Sequence, residues 1–166
     1  SVSNAPAHDS ERWILDYKPV IVVGQVVLAT APVNDVCLSS GFGFRGSRMH
    51  EGIDLTSRPA SMIYTAAPGR VIEARESSGY GLQVLIDHGH GVYTRYAHLE
   101  YFDPGIQLGS SIGFGQPVGM MGATGNAEAV HLHFEVLTGN YDNPRASKGL
   151  TPNDPFAFPA YNFLGY

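Results

Sequence analysis

Turn signals interrupt this chain so often that only short extended segments fit between them. Pro-Gly at 68–69, Ser-Ser-Gly-Tyr-Gly at 77–81, His-Gly-His-Gly at 88–91, Asp-Pro-Gly at 103–105, Leu-Gly-Ser-Ser at 108–111 and Thr-Gly-Asn at 124–126 each favour a reversal. The runs between them predict strands near 52–56, 61–66, 69–76, 82–88, 91–98, 117–121 and 131–137. Val-Ile-Val-Val at 20–23 and Val-Val-Leu-Ala at 26–29, either side of Gly24, suit a further strand pair. No segment sustains a helical period, and 17 Tyr plus Phe with only 15% charged residues is the balance of a turn-rich β protein. The expected class is all-β and antiparallel, a sheet or sandwich curled towards a half-barrel.

A length of 166 residues bounds the chain to one domain with one core. Residues 1–12 are polar and irregular and read as a linker or frayed end, leaving 13–166 as the domain. Within it, 138–166 turns to Asn, Pro and aromatics and is expected to wrap the sheet as an irregular tail. The Gly-rich stretch 40–49 is expected to be a loop.

A net charge of −5 without any Lys/Arg cluster gives no footprint for nucleic acid or an anionic membrane. No run approaches the roughly 20 apolar residues of a membrane span, and the first residues lack the build of a signal peptide. An exported protein of this sequence would have its signal or anchor outside this chain. The single Cys37 excludes an internal disulfide and a Cys-based zinc cluster, and is expected to be a small buried apolar residue.

The histidines carry the chemistry. In an extended H-L-H-F-E-V at 131–136, His131, His133 and Glu135 share one face and Leu132, Phe134 and Val136 the other. Two imidazoles on the polar face of a strand backed by apolar residues suit the floor of a metal site. His50 and Asp54, spaced around Gly52, would share a face of one extended segment, with the missing Gly52 side chain leaving room. Catalytic zinc takes three His or carboxylate ligands and keeps one position for water. Two His and one Asp meet that count, although spacing alone leaves open which of His131 and His133 binds. His88 and His90 sit in a Gly turn that suits hydrogen bonding, not ligation, and His8 lies in the polar end.

The motifs H-E-G-I-D at 50–54, Y-A-H-L at 96–99 and H-L-H-F-E at 131–135 stand in one order over about residues 31–137. In this the chain resembles the lysostaphin-type (LytM-type) zinc endopeptidases, whose signatures are H-x-G-x-D, Y-x-H-L and H-L-H-F-E. The resemblance implies that His50, Asp54 and His133 hold Zn2+ and that His131 and His98 are the catalytic histidines. It implies an antiparallel two-sheet β core with a long substrate groove. Tyr80, Tyr96, Asn126 and the loops at 41–48 and 100–114 are the candidate walls. The implied activity is hydrolysis of peptide cross-links in bacterial peptidoglycan, D-alanyl to diaminopimelate in particular, in a periplasmic or secreted setting. The alternative is a latent or regulatory cell-wall module of the same fold that binds zinc and controls another hydrolase through a protein partner. The loop at 44–48 is shorter than in many relatives, and the tail matches only in its Asp-Pro-Phe at 154–156.

Overall fold

A computed structural model of the chain describes residues 10, 17–141 and 149–161. The polar end expected over 1–12 lies outside the described residues apart from residue 10, as do 142–148 and 162–166 of the tail. Among the described residues no helix is long and apolar enough to cross a membrane.

The β-branched runs around Gly24 form the expected hairpin, β1 (Val20–Val23) and β2 (Val26–Ala29), turning at Gly24 with φ 59°. Ile21, Val23 and Leu28 go inward. The predicted strands are also present: β6 (Ile53–Thr56), β7 (Met62–Tyr64), β8 (Gly69–Ser77), β9 (Gly81–Asp87), β10 (Val92–Phe102), β12 (Pro117–Met121) and β13 (Leu132–Gly139). With β3 (Cys37–Ser40), β11 (Ser111–Ile112) and β14 (Leu150–Asn153) they make one antiparallel sheet. Its path is β11-β8-β9-β10-β13-β6-β3, with β12 bridging β10 to β7 and β14 added to β13.

The long strand β10 changes partners midway. Residues 92–97 pair with β13, and Leu99 onward pairs with β12, which takes over the edge that β13 leaves. His98 stands at the handover with φ 63°, the irregularity that a bulge uses to re-aim a side chain. Beneath, Ile53, Leu55, Tyr96, Leu132, Phe134 and Val136 are all at most 1% exposed. Each such side chain contributes about 1.5–3 kcal/mol by leaving water.

Three expectations are corrected. The stretch 40–49 is no loop throughout: β4 (Gly43–Arg45) and β5 (Arg48–His50) form a two-stranded hairpin turning at Gly46, φ 62°. Cys37 is exposed, because β3 is the sheet's edge and Cys37 falls on its outward alternation. The tail wraps by backbone as well as by aromatics. β14 zips onto β13, Phe156 and Phe158 pack against the core, and Ala160 bridges to Ile21.

Candidate metal centre

The register of β6 against β13 sets Asp54 directly opposite His133, with Ile53 opposite Phe134 on the core side. The β4–β5 hairpin delivers His50 from outside the main sheet, so His50 and Asp54 meet across a corner at Glu51 and Gly52 instead of along one extended segment. All three side chains are buried. Asp54 Oδ1 lies 3.1 Å from His50 Nε2 and 3.1 Å from His133 Nδ1, and those two nitrogens are 3.2 Å apart. Ligands on tetrahedral zinc with bonds of about 2.0–2.1 Å stand about 3.3–3.4 Å from one another. The three atoms therefore already outline one face of a zinc tetrahedron, and a donor set of two imidazoles and one carboxylate suits that ion.

The outer ring nitrogens are anchored too. His50 Nδ1 lies 2.7 Å from the Gly41 carbonyl, and His133 Nε2 lies 3.5 Å from Glu135 Oε2. Such partners fix the tautomer and aim the ligating nitrogen. Glu135, fully buried, accepts from Tyr80 Oη at 2.9 Å and from Arg95 Nη1 at 2.9 Å. Arg95 in turn donates to Gln83, which donates to Glu73. A buried carboxylate is tolerable only with such partners.

Electrostatics follow from this packing. Burial opposes the charged form of Asp54, but hydrogen bonds and charge from His133 and His50 prevail and hold its carboxyl well below the usual range. Burial likewise disfavours an imidazolium at His133, yet the Asp54 and Glu135 carboxylates push its pKa up to about 9 in the metal-free chain. The ligand set thus carries a proton that a metal ion must displace.

His131 and His98 stand on the open side. His131 Nδ1 lies 2.8 Å from the Ala129 carbonyl and His98 Nδ1 lies 2.7 Å from the Thr124 carbonyl. A carbonyl can only accept, so each Nδ1 carries the proton and each Nε2 of the neutral ring is an acceptor. Their ring centroids lie 4.8 Å apart with the planes tilted by 50°, and His131 Nε2 is 3.6 Å from Asp54 Oδ1. Burial holds His98 below the usual histidine pKa, and its neighbours His131 and His133 add to that, against an upward pull from the Thr124 carbonyl and Asp54.

These five side chains line a cavity of about 540 Å³. Tyr80, Asn126 and Glu128 line it as well, and Arg45 and Arg48 enter from the hairpin. Tyr96 does not: it is fully buried, and its hydroxyl accepts from the Ala66 amide. The 100–114 loop contributes nothing to this lining. Arg45 falls in the 41–48 stretch expected to wall the groove, but a loop reading of 40–49 gave its side chain no direction. His88 is a hydrogen-bonded turn residue as expected, contacting the Pro68 carbonyl and Thr94 Oγ1.

Against known proteins, the sequence profile of peptidase family M23 matches residues 48–144. The DD-carboxypeptidase/endopeptidase Mpg of Neisseria meningitidis serogroup B is 34% identical over 74% of this chain and 30% of its own length. Lysostaphin of Staphylococcus simulans is 30% identical over 93% of this chain and 27% of its own. Among solved structures, a zinc-containing peptidase from Vibrio cholerae superposes with a TM-score of 0.67 at 26% identity, covering 81% of this chain and 40% of that one. The chain thus spans under a third of the length of the curated relatives it matches here.

Proposed function

Because the chain belongs to peptidase family M23, a family of zinc metallopeptidases, we propose that it hydrolyses peptide cross-links of bacterial peptidoglycan outside the cytoplasm, at the D-alanyl to diaminopimelate bond. The observation that carries the reading is the His50, Asp54 and His133 triangle at the floor of an open groove, with two acceptor Nε2 atoms beside it. The relative named as a DD-carboxypeptidase/endopeptidase supports the choice of bond.

His50, Asp54 and His133 would hold the zinc ion, which when bound would supply Lewis acidity and lower the pKa of water to about 7. His131 is the base: its Nε2 accepts the proton of the attacking water and passes it to the departing amine. His98, with its own Nε2 as acceptor, orients that water. The Ala129 and Thr124 carbonyls hold both rings in the tautomer this requires. Glu135 keeps His133 Nδ1 aimed at the ligand triangle. No acyl-enzyme enters the scheme, in keeping with Cys37 lying on the edge strand β3 and outside the groove lining.

The test is to incubate zinc-quantified protein with two kinds of sacculi, directly cross-linked and glycine-bridged, and to identify the new chain ends by mass spectrometry. The expected result is a freed diaminopimelate amine and D-alanyl carboxylate, abolished by chelator and restored by zinc. Stoichiometric zinc without new ends would overturn the reading, and new glycyl ends would move the bond.

A further inference from the structure

Arg45 reaches the ligand triangle from the hairpin wall. In that hairpin Gly43 pairs with His50 and Arg45 with Arg48, so these four positions share one face and the arginines enter the groove together. Two like charges set opposite each other gather positive potential on that wall of a chain whose net charge is −5. Arg45 Nη2 donates to Asp54 Oδ2 at 2.5 Å and to Ser40 Oγ at 2.6 Å. It lies 3.0 and 3.1 Å from the two ring nitrogens of His50. Among the described residues these contacts run through Nη2 alone, and 44% of the side chain stays exposed. A guanidinium fixed by one nitrogen keeps Nε and Nη1 as donors for a ligand in the groove.

The proposed cross-link has a chemical feature that such a group can read. The nitrogen released from the D-alanyl carbonyl sits on a carbon that also bears a free carboxylate. A glycyl bridge has a neutral amide at that place. We infer that Arg45 is a specificity residue, selecting substrates with a free carboxylate on the carbon beside the leaving nitrogen, an inference that rests on the cross-link reading above. Both two-pronged donor faces of a guanidinium include Nη2, so with Nη2 held by Asp54 and Ser40 a substrate carboxylate takes one charge-assisted hydrogen bond, from Nη1 or Nε. A carboxamide offers one oxygen and turns its own N–H groups towards a cation. The placement beside Asp54 couples that recognition to the reacting centre, because the carboxylate and the scissile carbonyl are separated only by the leaving nitrogen and its carbon.

The experiment compares two soluble cross-linked peptide dimers that differ only in a carboxylate or carboxamide on that carbon. The readout is the ratio of kcat/KM for the two dimers within each protein. Partial loss of folding or zinc in a variant cancels in this ratio. The native protein is expected to prefer the carboxylate by about ten- to hundredfold, the usual range for one charge-assisted pair. Arg45→Met should bring the ratio close to one, and Arg45→Lys should leave a reduced preference. A native ratio near one overturns the inference. So does an Arg45→Met ratio equal to the native one with both rates lowered alike, which would make Arg45 only a prop for Asp54. Native protein that cleaves neither dimer would overturn the cross-link reading itself.

Discussion

Asp54 Oδ1 stands 3.1 Å from His133 Nδ1 and 3.6 Å from His131 Nε2, and that half-ångström accompanies opposite orientations of two rings only two positions apart. His131 spends Nδ1 on a carbonyl and offers Nε2, whereas His133 offers Nδ1 and turns Nε2 to Glu135. The period of an extended segment shows that both residues face the same way, but not which ring nitrogen is occupied. The division of labour was therefore illegible in H-L-H-F-E itself. The proposed roles predict that His131→Ala keeps about one zinc per chain and loses turnover by about 10²–10⁴-fold. His50→Ala should lose both metal and turnover. Zinc content by atomic spectroscopy beside the cleavage rate decides the matter, and loss of zinc from His131→Ala would exchange the assignments of ligand and base.

At the level of strands, the parts that the sequence made legible are those whose ends and filling are marked locally. β8, β9, β10 and β13 are bounded by glycine turns and filled with alternating or continuous apolar residues, so their ends were read within a few positions. The β4–β5 hairpin was not, because Gly-Phe-Gly-Phe-Arg-Gly has turn composition throughout and extends only where Gly43 and His50 pair. The handover at His98 was also hidden, since it depends on which strand lies alongside β10. Gly52 is the joint between these elements. A Cβ there would lie 2.4 Å from the Phe134 carbonyl oxygen and 2.9 Å from Glu135 Cγ, contacts that force β6 and β13 apart or reshape the corner. Since that corner sets His50 against Asp54 and His133, Gly52→Ala is expected to cost about 1–3 kcal/mol of stability and to weaken zinc binding at least about tenfold. Urea melts and competition with a chelating dye would show both. A variant with native melting and native affinity would mean that the corner yields without cost.

Across the whole molecule, the core is stitched by a polar chain that no motif announced. His88 closes the β9–β10 turn, contacting the Pro68 carbonyl at the start of β8 through Nδ1 and Thr94 Oγ1 through Nε2. Thr94 continues to the Tyr96 hydroxyl, which satisfies the amide of Ala66. Local sequence showed a histidine in a glycine turn, but the reach from turn to interior belongs to the closed sheet. Burial drives the His88 pKa below its ordinary value, against the Pro68 carbonyl and Asp87, which favour the proton. The unfolded chain therefore binds this proton more readily than the folded one, and the stability tied to neutral His88 is complete above about pH 6.5 and lost as pH falls towards the depressed folded value. The slope from one such group is at most about 1.4 kcal/mol per pH unit. Acid also expels zinc by protonating its ligands, so native protein loses stability for two reasons at once. His88→Gln separates them: the amide can donate and accept at the same two partners but cannot titrate. Urea unfolding of both zinc-loaded proteins from pH 7.5 to 4.5 should give parallel zinc-dependent losses, with the native curve steeper below pH 6.5 by up to one proton equivalent. Curves of equal slope would mean that His88 can be protonated in place, with the chain through Thr94 and Tyr96 re-forming around an imidazolium.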